Sequence, residues 1–285
     1  MKYKPYLYLA PALLVLTIFF LGGLVFALLQ SFGYFPVLGL TQFTLKYYLL
    51  VVKQKEFMAS LTFTLYIAFV STFLSTIIAI YLANYMVNLK QKNKVIDFMY
   101  KLPIAVPHIV AALMIVFLIS QGGFLARIFI NLGVINESGQ FPPVFYSRNA
   151  IGIITIYMWK EIPFITLMIY TVMKNIHGKL NDVAATLKAS PWQVFFQVTL
   201  PLSMPSIISA SAIVFAFSFG AFEIPFLLGA TYPKALPVWA YYNYISPDLY
   251  NRPIAMVITI ILTSVCVMLV GLYYLFMKKY LRQWG

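Results

Sequence analysis

The sequence predicts an all-α polytopic membrane protein with six transmembrane helices and both termini on the cytoplasmic side. Three observations carry this expectation. Hydrophobic residues make up 62% of the 285 and charged residues only 9%, with a mean hydropathy of +0.88; soluble domains hold about 45–50% apolar and 25% charged residues. So few charges cannot cover the remaining apolar surface in water. Six apolar stretches also qualify for, or approach, the roughly 20 residues that a spanning helix needs. Finally, the basic residues behind the formal charge of +13 gather at the ends of those stretches. That pattern marks cytoplasmic membrane flanks and excludes a nucleic-acid groove. Strand-period alternation is absent, which excludes a membrane β-barrel.

The spans fall at 7–32, 59–86, 103–119, 150–173, 205–228 and 254–277. Lys2 and Lys4 precede the first, but its apolar run is too long for a signal peptide and no A-x-A site closes it. It is expected to remain as an uncleaved span. The third is the shortest, and the fourth contains Lys160 and Glu161. The sixth holds Cys266, the single cysteine, so no intrachain disulfide framework exists. With the N-terminus inside, twelve Lys and Arg fall in cytoplasmic segments and seven in outer ones. This excess places both termini inside, as an even number of spans requires.

One cytoplasmic segment, 179–200, carries more information than the other loops. Leu180, Val183, Ala184 and Leu187 follow the i, i+3, i+4, i+7 spacing of an amphipathic helix. Ser190, Pro191 and Gln193 then compose an N-cap, a first helical position and the third residue of a capping box. Trp192, Phe195, Phe196 and Thr199 repeat the helical spacing, and Pro201 is expected to stop the second helix. Two short helices joined by a tight turn therefore present apolar faces. Such a hairpin can lie on lipid or plug a groove on a cytoplasmic partner, and spacing leaves both readings open.

The string DVAATLKASPWQ at 182–193, closed by Leu200-Pro201, resembles the "EAA" coupling loop of permease subunits of type I ABC importers. Asp182 stands at the glutamate of that pattern, and Val183 and Ala184 at its two alanines. Lys188 stands at its glycine, Ala189 follows, and Leu200-Pro201 supplies the ending. Leu9-Ala-Pro-Ala12, Ser60–Leu65, Leu102-Pro103 and Pro107-His108 extend the resemblance to three span starts. The segment Gly220–Gly229 is similar to the fifth span of the polyamine-importer branch. The resemblance implies an inner-membrane permease of a prokaryotic cytoplasmic membrane, surrounded by lipid and docked on a dimer of ABC ATPases. Docking would run through Asp182, Val183, Ala184, Leu187, Lys188, Ala189, Trp192, Phe195, Leu200 and Pro201. ATP and Mg would be held by the ATPases, since no G-x-x-x-x-G-K-[ST] occurs in this chain and it needs no cofactor of its own. The resemblance further implies a second permease subunit, a different chain in preference to another copy, and an external substrate-binding protein. Asp for Glu shortens the docking side chain by one methylene. A non-glycine residue at the turn costs on the order of 1–2 kcal/mol if a left-handed conformation is kept.

Lys160, Glu161 and Glu223 lie inside apolar spans, where a central charge costs about 2.5–3.5 kcal/mol on insertion scales. Consecutive residues point about 100° apart on a helix, so Lys160 and Glu161 are not expected to line one wall. Two readings stand: ion pairing with another helix, or a substrate pathway through Glu161, Glu223 and their neighbours Trp159 and Phe222 that favours a small cation such as a polyamine. Pro163 and Pro225, each two residues after a glutamate, free backbone carbonyls that a cavity could satisfy. His108 and His177 have no neighbours that complete a metal site, and His108 reads as a packed polar residue. The outer loop 231–250, rich in Tyr and Trp, reads as an aromatic belt or as a lid that meets a binding protein. The rival to the importer reading is an autonomous secondary transporter working through Lys160, Glu161 and Glu223. It leaves the hairpin without a task.

Overall fold

The structure, a computed structural model, describes residues 4–89, 94–186 and 189–284, with side chains at 8–89, 98, 100–176 and 189–275. Every regular element in them is helical, as an apolar chain with saturated backbone hydrogen bonds requires inside a bilayer. Among the described residues six helical segments are long and apolar enough to cross a membrane: Tyr8–Ser31, Lys55–Asn88, His108–Asn131, Ile151–Ile176, Pro191–Gly220 and Leu249–Leu275. Together they make the chain a multi-pass membrane protein of all-α class.

The chain divides into two compact units. The first holds α1 (Lys4–Ser31), α2 (Lys46–Lys53), the first turns of α3 (Lys55–Asn88), α11 (Leu236–Tyr244) and the first half of α12 (Arg252–Trp284). Its core gathers Val51, Phe57, Leu236, Trp239, Val257 and Ile258, with the Phe57 and Trp239 rings 6.4 Å apart. The membrane stretch of α1 buries nothing within this unit, although Ser31 at its end is fully buried and shares a 2.8 Å hydrogen bond with Tyr48. Gly33 follows in the left-handed region at φ +80°, where a Cβ would lie 2.9 Å from the Thr44 and Tyr47 side chains.

The second unit holds the rest of α3 and α12 with α4 (Lys94–Ala105), α5 (His108–Ile119), α6 (Phe124–Asn131), α7 (Ile151–Thr186), α8 (Pro191–Val194), α9 (Leu200–Gly220) and α10 (Glu223–Leu228). Its packing rests on periodicity. Along α7, Ile153, Tyr157, Glu161, Ile165, Ile169 and Met173 recur every four residues and all are buried, so one face of the helix is sealed along its length. Along α3, Thr64, Ala68, Ser71, Ser75, Ala79 and Ala83 make a buried stripe of small residues, the composition that lets membrane helices pack without a hydrophobic driving force. Ala79 and Ala83 meet Ile165, Ile169 and Met173 of α7 and Ile207, Ala210 and Val214 of α9 in one core.

Four helix boundaries depart from the sequence expectation, at or near prolines. The third span does not run from Pro103 through Ile119. α4 ends at Ala105 and α5 starts afresh at His108, because Pro107 has no N–H and pushes Val106 out of the helical region. The crossing segment is His108–Asn131, α5 followed by α6. The fifth span does not run unbroken to 228: α9 stops at Gly220, Ala221 is extended and α10 restarts at Glu223. Pro201 does not stop the second arm of the hairpin. A π-helical turn, Phe195–Thr199, passes directly into α9, with Leu200 N donating to Phe195 O five residues back. The wider turn carries the helix into a proline that has no N–H to donate. The first arm is likewise no separate helix, since α7 runs 36 residues, through Pro163, to Thr186.

Gly229 closes α10, and a Cβ there would sit 2.3 Å from the Pro225 carbonyl oxygen. Backbone cannot yield as a side chain does. Gly229→Ala is expected to lower stability by about 1–3 kcal/mol, measured as the thermal unfolding midpoint in detergent. An unchanged midpoint would show that this loop relaxes freely.

Candidate functional site

The buried row of α7 contains one carboxylate, Glu161, 5% exposed. Three hydroxyls donate to it: Ser71 Oγ to Oε1 at 3.1 Å, Ser75 Oγ to Oε2 at 2.9 Å, and Ser218 Oγ to Oε1. Ser71 and Ser75 stand one turn apart on α3, and Ser218 comes from the last turn of α9. A buried carboxylate without donors would be prohibitive; here three hydroxyls from two helices replace its hydration, and the side chain ties α3, α7 and α9 together.

Its neighbour Lys160 is used differently. Its Nζ donates to Pro103 O at 2.8 Å and to Val106 O. These are the carbonyls at the α4–α5 break. Pro103 O would ordinarily accept from the N–H of residue 107, and Pro107 has none. A lysine ammonium replaces it with a charge-assisted bond at the carbonyl end of α4, the end that favours a cation. Where the sequence reading offered ion pairing with a charge on another helix, the partners among the described residues are two separate sets of neutral groups, carbonyls for Lys160 and hydroxyls for Glu161.

Both residues nevertheless border one cavity of about 240 Å³, with Ile104, His108, Phe164 and Phe217 among its walls. This corrects the expectation that they face different walls: the cavity spans the space between the α4–α5 break, α7 and α9, and is wide enough to touch both directions. The His108 and Phe217 rings lie 5.1 Å apart, so His108 packs as a polar residue of the cavity wall. Glu223, Trp159 and Phe222 are not among the lining residues. Glu223 is exposed in the first turn of α10, where a helix N-terminus favours an acid. Phe222 stacks on Phe226 at 4.9 Å, and Trp159 is half-buried. Among the described residues no three His, Cys, Asp or Glu gather as a metal site.

At the hairpin, Ser190 and Gln193 form the capping box in full: Gln193 N donates to Ser190 Oγ at 3.3 Å and Ser190 N to Gln193 Oε1 at 2.8 Å. The aromatic stripe divides. Trp192 and Phe196 are exposed and stacked, centroids 5.7 Å apart. Phe195 is 5% exposed and belongs to the α3–α7–α9 core, and Thr199 is also buried. Phe195 is thus an internal anchor whose ring props the exposed pair from beneath, at 4.9 Å from Phe196. Leu200 packs against the same core, Pro201 is half-buried beside it and Ala189 is half-buried before the cap. Asp182, Val183 and Ala184 lie on the helical backbone of α7, with side chains outside the described residues; Leu187 and Lys188 fall wholly outside them. In the segment 231–250, Trp239 is buried in the core of the first unit while Tyr241, Tyr242 and Tyr244 are exposed.

Sequence reasoning found both charges of the α7 turn and missed their partners. Ser71 and Ser75, spaced i, i+4 in an apolar helix, were the available signal. Ser218 gave none.

Residues 75–282 match the family of binding-protein-dependent transport system inner membrane components, and the chain belongs to it. It is a multi-pass protein of the inner membrane, and the resemblance to ABC importer permeases holds. It is 26% identical over 192 residues to the sulfate transport system permease protein CysT of Synechocystis sp., an alignment covering 67% of this chain and 62% of that one. It is 29% identical over 155 residues to the spermidine/putrescine transport system permease protein PotB of Haemophilus influenzae, covering 53% and 51%. The chain thus spans about half to three-fifths of the length of these curated relatives. Its fold is that of a chain in the crystal structure of a bacterial ABC transporter involved in the import of the acidic polysaccharide alginate, with TM-score 0.82, 18% identity and coverage of 98% and 96%. A second structure of the alginate transporter, in complex with alginate pentasaccharide-bound periplasmic protein, matches with TM-score 0.80, 18% identity and coverage of 95% and 93%.

Proposed function

We propose that this chain is a permease subunit of an ATP-driven importer, forming half of a translocation pathway for a small solute. Both termini face the cytoplasm. The hairpin at 179–200 docks a cytoplasmic ATPase that holds ATP and Mg, a second and different permease chain completes the pathway, and an external binding protein delivers the solute. The observation that carries this reading is the exposed Trp192–Phe196 pair, held on a capped turn and braced by buried Phe195. Exposed stacked aromatics on a rigid base are the anchors that interfaces use, and here they join without interruption to a membrane-crossing helix.

The solute we propose is a cation such as a polyamine. Support comes from the kinship with a spermidine/putrescine permease and from Glu223, exposed just past the end of α9, where a carboxylate would attract a cation. An autonomous secondary transporter finds less support. Lys160 and Glu161 are already engaged by carbonyls and hydroxyls, and the family is one of binding-protein-dependent systems.

Co-expression with the neighbouring genes tests the docking. The wild-type chain is expected to carry an ATPase through purification. Phe196→Asp or Ala184→Arg should leave the chain in the membrane yet lose that ATPase at least in large part. Full retention of the ATPase by both variants would reject the hairpin as its dock.

A further inference from the structure

Resting on the permease reading, we propose that Lys160 is a positioning residue for solute passage: its ammonium holds Pro103 O and Val106 O and so sets the seat of the α4–α5 break against α7. The observations converge on one turn of one helix. Glu161 anchors that turn to α3 and α9 through Ser71, Ser75 and Ser218, and Lys160 extends from the same turn to the break. Pro107 removes the hydrogen bond that would join α4 to α5, and α5 begins without a side-chain cap.

Lys160 also borders the cavity that Ile104 and His108 wall from the two sides of the break. Releasing the two carbonyls would leave two acceptors at the cavity wall without the donor they now share. The α4–α5 break would then leave its seat or draw water in, and the width of the cavity would change. A long, flexible, singly charged side chain suits this duty: its four-carbon stem can follow small shifts of the break while its ammonium keeps both bonds. Glu161 keeps the stem's origin still. Lys160 touches no solute in this account; it acts through the backbone it holds.

The test uses Cys266→Ser, which removes the single cysteine, with Ile104→Cys as reporter in the cavity wall. Membrane vesicles carrying the whole transporter are labelled with a water-soluble thiol reagent. Lys160→Met, close in shape but without donors, is expected to speed labelling several-fold, and Lys160→Arg to restore the parent rate. The same Met variant should lose most of the stimulation of ATPase activity by spermidine-loaded or sulfate-loaded binding protein, whichever stimulates the parent, and Arg should recover it. Equal labelling in the parent and Lys160→Met overturns the proposal, as does labelling that Arg leaves as fast as Met does. Should Lys160→Met fail to reach the membrane, Lys160→Gln against Lys160→Arg decides, with faster labelling of Gln expected and equal rates overturning the idea. The labelling needs neither solute nor ATPase. A labelling change in a chain that never associates with an ATPase would therefore sink the permease reading and leave the role of Lys160 at the break standing.

Discussion

Glu161→Ala is expected to cost about 2–4 kcal/mol of stability, while Glu161→Gln should retain most of what the wild type has. The estimate takes three hydrogen bonds across membrane helices at about 0.6–1.7 kcal/mol each, with the stranded serines adding some of the penalty of an unmade bond. Alanine leaves Ser71, Ser75 and Ser218 facing an emptied site. Glutamine keeps one carbonyl oxygen for the two hydroxyls that now reach Oε1, and its amide can donate to Ser75 Oγ. Unfolding midpoints in detergent, followed by intrinsic fluorescence, would measure both. The pair of variants also separates two duties. If Glu161 serves only to join α3, α7 and α9, solute uptake by Glu161→Gln follows its stability. If uptake vanishes while the midpoint stays high, the negative charge itself takes part in passage. Equal, small losses in both variants would show that the hydroxyls find other partners and that the three helices do not depend on this carboxylate.

The second large effect is expected at the hairpin, where neighbouring aromatics should behave in opposite ways. Phe195→Asp places a carboxylate among Ile165, Ile169, Met173 and Ile207, and removal of a buried phenyl alone costs about 3–5 kcal/mol. The protein should fail to accumulate. Trp192→Asp, at an exposed position, should accumulate normally and lose ATPase-coupled uptake. Membrane levels read by immunoblot, set against uptake in the same cells, distinguish the two. Normal accumulation of Phe195→Asp would mean that the ring does not brace the aromatic step.

What could be read in the sequence differs in kind from what could not. The six crossings were legible because each is a local property: some twenty apolar residues announce themselves without reference to the rest of the chain. The capping box at Ser190–Gln193 was legible for the same reason, as a three-residue spacing with one geometric solution. Lys160 and Glu161 were legible as anomalies, being charges in apolar surroundings, but their partners were not. Ser71 and Ser218 lie 90 and 57 residues from Glu161, and only the register of packed helices brings them to it. The helical spacing of Trp192, Phe195, Phe196 and Thr199 identified a stripe and could not say which members face inward. That depends on the π-helical turn, which rotates the stripe relative to an ordinary helix. Prolines misled in a consistent manner. Pro107 broke a helix that was drawn as continuous, and Pro201 lay within a path drawn as interrupted; beside Pro201 the turn before it is π-helical and continues into α9, and nothing local in the sequence announces that.

That widened turn bears on how force would move through the molecule. Because Leu200 follows Phe195–Thr199 without a non-helical residue between them, the aromatic step and the 21 residues of α9 form a single rod, about 30 Å long beyond the turn. A displacement applied at Trp192 meets no non-helical residue until Ala221, where the backbone becomes extended; the π-helical turn and Pro205 within α9 are the points at which the rod can bend. Ser218, one of the three hydroxyls on Glu161, sits two residues from the end of that rod. A stroke at the hairpin end would therefore pass the ties of Ser206 to Met168 O and of Ser211 to Thr76 before it reaches Ser218 and the Glu161 cradle, the last hold on the rod before the chain turns extended.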